Sequence, residues 1–222
     1  GIIYEDRQDM PEALTYYLKG LTEAEKTQDP RLLGMIYNNI GLTKVQLKQY
    51  DDALTDFKKG LGYAELSDDI RLPFNLENNI GLIYNDKKEY EKAIKHYENT
   101  LNRAKKIGFP NYISVSFVNL SNSHNQLGNH ELSLIFADSA LSMMEELNDI
   151  RNIPKTYFLI ATAYLDLGNK SDALYFVNKG LDISENEQFL ENSVGGYKLK
   201  AKVLEAMGLF EEAYTAFKYY HE

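Results

Sequence analysis

The side chains able to do chemistry are few and scattered. Four histidines occur, His96, His124, His130 and His221, and the nearest two are six residues apart, which is not the spacing of a ligand pair on one helical face. Each reads as a surface residue. There is no His-Glu-x-x-His, no phosphate loop and no Gly-x-Ser-x-Gly. Gly195-Gly196 is placed at a helix start and lacks the rest of a nucleotide fingerprint. Without cysteine the chain has no disulfide, thiolate nucleophile or cysteine metal site, a usage that fits either side of a bacterial membrane. The paired acids Asp51-Asp52 and Glu211-Glu212 fall at predicted helix N-termini, whereas acid–base catalysis needs carboxyls converging on a cleft. The expectation is a chain that is not an enzyme, with no metal and no cofactor.

The elements that position these residues are set by a fixed period. Small residues recur every 40 positions at Gly1, Gly41, Gly81, Ser121, Ala161 and Ala201. A second small series runs through Ala13, Ala53, Ala93, Ser133, Ala173 and Ala213, and a bulkier one through Tyr17, Phe57, Tyr97, Ala137, Val177 and Phe217. A fourth closes the second helix at Gly20, Gly60, Thr100, Ala140, Gly180 and Tyr220. Tyr37, Ile40, Gly41 and Lys44 share one helical face, and Ala53, Phe57, Gly60 and Leu61 share the face of a second helix. Two helices approach closely where one offers a small residue and the other a large one, so each unit reads as an antiparallel hairpin. Gly128, Gly168 and Gly208 stand at the turn of three successive units, where positive φ stops the first helix. The second helix then begins at Asp51, Glu91, Glu131, Ser171 or Glu211. The prolines fall near predicted helix starts or bends, and no strand pattern competes.

Quoted as they stand, units such as "YNNIGLTKVQLKQYDDALTDFKKGL" and "FLIATAYLDLGNKSDALYFVNKGL" resemble the tetratricopeptide repeat over all 222 residues. The common repeat has 34 residues and this one has 40, as in the long-helix arrays of bacterial signalling proteins, peptide-sensing regulators of the Rap type and kinesin light chain. The resemblance implies an all-α fold, a right-handed superhelix (α-solenoid) of about six antiparallel helix pairs. Its units are expected at roughly 1–33, 34–73, 74–113, 114–153, 154–193 and 194–222. Gly1 would already sit at the middle of a first helix, and Tyr214, Phe217 and Tyr220 would be only partly covered, so the chain reads as a piece of a longer protein.

In such arrays the first helices line the concave wall. On those helices, turned away from the core positions, stand Asn38, Asn39, Asn78, Asn79, Asn119 and Asn122, with Asn85, Asn125 and Gln126 a turn further on. Asparagine is a poor helix former, so a run of it inside helices lowers their stability. The resemblance implies that Asn39, Asn79 and Asn119 hold the backbone of a peptide, while Leu159 and Leu199 break the pattern and restrict the groove to the middle three units. The amides either contact a ligand or brace neighbouring helices, and the sequence leaves both open. A clamp for a terminal carboxylate needs basic residues beside them, and Lys44 alone is near. The expected partner is a protein or peptide. Nucleic acid is disfavoured by a net charge of -9, which would repel phosphates. The charge is uneven, with 8 basic and 15 acidic residues in 112–222, which either serves solubility or leaves that half preferring a neutral or basic partner. No apolar run is long enough for a membrane span. The role implied is the sensing or interaction region of a bacterial signalling or regulatory protein, the alternative being a static scaffold.

Overall fold

The computed structural model describes residues 10–221, with side chains through residue 219. Gly1 and the side chains of Tyr220 and His221, which carry expectations above, lie outside the described residues. The chain divides into two compact units, Gly1–Thr100 and Leu101–Glu222. Eleven helices and no strand occur among the described residues: α1 Met10–Thr27, α2 Pro30–Gln46, α3 Tyr50–Ala64, α4 Leu72–Asp86, α5 Tyr90–Ile107, α6 Pro110–Gln126, α7 His130–Leu147, α8 Ile153–Asp166, α9 Lys170–Asn186, α10 Leu190–Met207 and α11 Phe210–His221. The fold is an all-α solenoid of antiparallel helix pairs. From α1 to α4 in one compact unit and from α6 to α11 in the other, sequential helices pack together, and first helices also touch those of neighbouring repeats, α2 with α4, α6 with α8 and α8 with α10.

The helix starts follow from residue chemistry. Proline opens α2, α4, α6 and α8 in the first turn, where its missing N–H costs no helical bond. Asp29 accepts the N–H groups of Arg31 (2.9 Å) and Leu32 (3.2 Å), and 40 residues on Asp69 accepts those of Arg71 (3.0 Å) and Leu72 (3.2 Å). The second helices begin at Tyr50, Tyr90, His130, Lys170 and Phe210, one residue before the acidic or hydroxyl positions. Those acids sit in the first turn, where the helix dipole favours them.

The interlock inside a hairpin is steric. A methyl group on Gly41 would sit 2.5 Å from Phe57, and one on Gly81 would sit 2.5 Å from Tyr97. Both rings are completely buried, each burial stabilising by roughly 1.5–3 kcal/mol. In the hairpin of α6 and α7 the bulky position is Ala137, and the small pair Ser121 and Ser133 joins its hydroxyls at 3.0 Å instead. Phe158 of α8 serves both packings, wedged against Gly180 of α9 within its own hairpin and against Gly196 of α10 in the next. Gly195 and Gly196 are therefore well inside α10, not at its start.

Every first helix ends the same way. Gln49, Glu89, Asn129, Asn169 and Leu209 each donate a backbone N–H to the carbonyl five residues back, at 2.8–3.0 Å. The residue before each has positive φ: Lys48 (60°), Lys88 (59°), Gly128 (88°), Gly168 (80°) and Gly208 (79°). The turn conformation repeats in all five hairpins, whereas its glycine marks only three.

Candidate functional site

Four positions of each first helix, spaced i, i+3, i+4 and i+7, lie on one helical face. In α2 they are Met35, Asn38, Asn39 and Leu42, and in α4 Asn75, Asn78, Asn79 and Leu82. In α6 they are Val115, Val118, Asn119 and Asn122, in α8 Lys155, Phe158, Leu159 and Thr162, and in α10 Gly195, Lys198, Leu199 and Lys202. Asn38, Asn39, Asn78, Asn79, Asn119 and Asn122 thus share repeat positions with the apolar and basic residues of the last two first helices, whereas Asn85 and Asn125 stand outside this face.

In the compact unit up to Thr100, Asn38, Asn39, Asn78 and Asn79 are half-buried. Asn79 Nδ2 donates to Asn38 Oδ1 at 2.9 Å, linking α2 to α4. Asn85 Nδ2 donates to the Tyr97 hydroxyl at 3.5 Å. Burial above all, and then the nearby Asp86 carboxylate, push the Tyr97 phenol well above its ordinary range, so it stays protonated. Lys44, the base expected beside these amides, is held by Asp56 at 2.5 Å with both side chains largely covered. Asn78 and Asn85 have further interactions within the protein.

In the second compact unit Asn125 is buried. Its Nδ2 donates to Asp166 Oδ2 at 3.1 Å, and its Oδ1 is 2.7 Å from His130 Nδ1. His124, expected at the surface, is 9% exposed. Its ring stacks on Phe136 with centroids 5.3 Å apart, and the Asn129 amide lies 3.4 Å from its Nδ1. Ser121 and Ser123 on the same helix are buried as well. Asn119 has interactions inside the protein, Asn122 is half-buried and Gln126 is exposed. Among the described residues no group of three or more His, Asp or Glu is placed to hold a metal ion, and no helix is long and apolar enough to cross a membrane.

The cavity that sequence reasoning missed lies between α8 and α10. It has a volume of about 600 Å³. Phe158, Leu159 and Leu199 make its apolar floor, and Lys155, Lys198 and Lys202 stand on its walls. Thr162 also lines it, its hydroxyl donating back to the Phe158 carbonyl at 2.8 Å, and Gly195 leaves one side open. The sequence points away from these units because leucine replaces the expected asparagine. The signal that could have found the site is the 40-residue match of Lys155, Phe158, Leu159 and Thr162 to Gly195, Lys198, Leu199 and Lys202.

This geometry defines a class, the helix-hairpin repeat proteins whose first helices present one repeated face. Tetratricopeptide repeat models match residues 73–146, and 36–65 with 154–187, together more than half of the chain. The chain belongs to the tetratricopeptide repeat family, whose fold is a protein-interaction scaffold. No curated protein matches it. Similar solved structures include the apo form of RapI, with TM-score 0.85 and 16% identity over 96% of this chain and 79% of that one. A signal transduction ATPase with numerous domains and a tetratricopeptide repeat sensor, from Pyrococcus horikoshii, has TM-score 0.79 and 20% identity over 98% of this chain and 34% of that one. A Rap protein complexed with competence and sporulation factor has TM-score 0.77 and 17% identity over 90% of this chain and 56% of that one.

Proposed function

We propose that this chain is a peptide- or protein-binding module, working as one array, in the sensing or interaction region of a bacterial signalling or transcription-regulatory protein. The observation that carries the reading is the repeat position shared by the first helices, amide-rich in α2 and α4 of one compact unit and pocketed between α8 and α10 of the other. A carboxamide has one acceptor and two donors, so Asn79, after donating one N–H to Asn38, keeps a second N–H and its oxygen for a peptide backbone. The candidate contacts are Asn38, Asn39, Asn78, Asn79, Asn85, Asn119, Asn122, Asn125 and Gln126, of which the buried Asn125 acts by positioning its neighbours. Likeness to the Rap protein complexed with competence and sporulation factor, and to the repeat sensor of the ATPase, supports a sensing role. Any catalytic activity resides outside these residues. The mechanism is differential binding: a ligand that prefers one arrangement of the repeats shifts their equilibrium and biases whatever is attached.

The test uses a peptide selected by the 222-residue chain from displayed random dodecapeptides. Asn79→Ala combined with Asn119→Ala weakens its binding by at least about tenfold while the circular dichroism stays native. Unchanged affinity of that variant would remove the amides from the site. Ligand-induced change in small-angle scattering separates a sensor from a static scaffold, which would bind without responding.

A further inference from the structure

The cavity between α8 and α10 has a composition out of keeping with its surroundings. Residues 112–222 carry 15 acidic and 8 basic residues, and three of those eight basic residues, Lys155, Lys198 and Lys202, line this one cavity. Lys155 belongs to α8 and the other two to α10, so ammonium groups stand on both walls of an apolar floor. Lys198 and Lys202 are one turn apart on the same side of their helix. All three lysines are exposed, whereas Phe158, Leu159 and Leu199 are half-buried, which puts charge at the mouth and hydrocarbon at the base.

Such a site selects its occupant by pattern. Phe158, Leu159 and Leu199 accept an aliphatic or aromatic side chain, and about 600 Å³ holds one or two of them. The walls then require negative charge on either side of that anchor. Elsewhere on this half of the chain the net acidity repels an acidic ligand, so attraction is confined to the cavity and discriminates register as well as partner. Gly195 keeps the entry clear, because a Cβ there would meet nothing within 4 Å.

Resting on the peptide-binding reading, we infer that the α8–α10 cavity is the specificity pocket of the module and takes an extended acidic peptide whose apolar anchor side chain is flanked by carboxylates. This reverses the neutral-or-basic preference that net charge alone suggests for this half of the molecule, since recognition follows the local field of the cavity.

Displayed random dodecapeptides, selected separately on the native chain and on its Lys198→Glu/Lys202→Glu variant, provide the test. The native chain is expected to enrich acid–apolar–acid peptides. Affinity for a synthetic copy of the best one should fall at least about tenfold in the variant and weaken steeply with salt. Gly195→Leu, which fills the entry without touching a charge, should reduce the affinity comparably while thermal unfolding stays cooperative. Selected peptides without acidic enrichment, or affinity indifferent to both substitutions, would overturn the pocket assignment and leave peptide binding standing. Failure to select any peptide would overturn both. Equal binding of a thymidine decamer would overturn the peptide assignment in favour of a general anion site.

Discussion

Asn79 donates its side-chain N–H to the Asn38 carbonyl oxygen at 2.9 Å across a step of 41 residues, one more than the repeat. The same step joins Asn125 to Asp166 at 3.1 Å and Asn192 to the backbone carbonyl of Arg151 at 3.3 Å. Within each compact unit, side-chain amides thus tie a first helix to the next repeat's first helix, or to the turn that leads into one. A neutral, half-buried bond of this kind contributes about 0.5–1.5 kcal/mol. A double-mutant cycle on Asn38→Ala and Asn79→Ala, read by urea unfolding, should give a coupling of about that size. Additive losses would mean that the contact does not brace the repeats.

Lys48 and Lys88 hold φ of 60° and 59° at the turn position that glycine occupies as Gly128, Gly168 and Gly208. A side chain in this region costs roughly 1 kcal/mol, partly offset because glycine loses more backbone freedom on folding. Lys48→Gly and Lys88→Gly should each stabilise the chain by about 0.5 kcal/mol, whereas Gly128→Ala and Gly168→Ala should each destabilise it by about 1 kcal/mol. Thermal unfolding of the four variants checks the sign at each position.

These turns mark the limit of what was legible in the sequence. The hairpins are readable because Gly41 with Phe57, and Gly81 with Tyr97, leave a volume complementarity at fixed spacing. The turn at Lys48 is not readable, because lysine enters positive φ only when the flanking helices impose it. His124 looks like a surface residue, yet the aromatic face of Phe136, 12 residues on, is what draws it inside. The α8–α10 cavity is the largest omission. Its lysines come from two helices, Lys198 and Lys202 lying more than 40 residues after Lys155, and are individually indistinguishable from solubilising surface charge. The spacing within each helix was visible, but only the packing of α10 beside α8 turns two ordinary stripes into one pocket.

Asp69 supplies the pH dependence. Burial raises its pKa, but the Arg71 and Leu72 N–H groups and the Arg31 guanidinium at 3.1 Å together hold it below the ordinary carboxyl value. A depressed folded-state pKa adds stability that is complete above the unfolded value, about 3.9, and disappears as pH falls through the folded one. Asp69→Asn, which keeps a capping oxygen but no charge, should therefore be less stable than the native chain at pH 7 and converge with it as pH falls through the depressed folded-state pKa. Parallel melting curves down to acid pH, with the gap unchanged, would show that the carboxylate charge has no part in holding α2 to the start of α4. The contribution of Arg31 itself is small, since 61% of its side chain is exposed and solvent screens the pair.

Gly195 and Gly196 are neighbours in α10 with opposite reasons for lacking a side chain. A Cβ on Gly196 would lie 2.5 Å from Phe158 Cζ and 2.6 Å from Leu181 Cδ2, both part of the packing between α8, α9 and α10. A Cβ on Gly195 would meet nothing, and its backbone is ordinary helix, so neither packing nor conformation asks for glycine there. Gly196→Ala should destabilise the chain by about 1–3 kcal/mol through overpacking. Gly195→Ala should stabilise it by up to about 1 kcal/mol, the helix preference of alanine over glycine. Urea titration of the two single variants separates these outcomes, and equal destabilisation would show that α10 sits closer to its neighbours than this packing allows. A methyl group at position 195 is too short to fill the cavity, so Gly195→Ala should also retain the peptide affinity that Gly195→Leu loses. That divergence would tie the open side of α10 to ligand entry and not to helix stability.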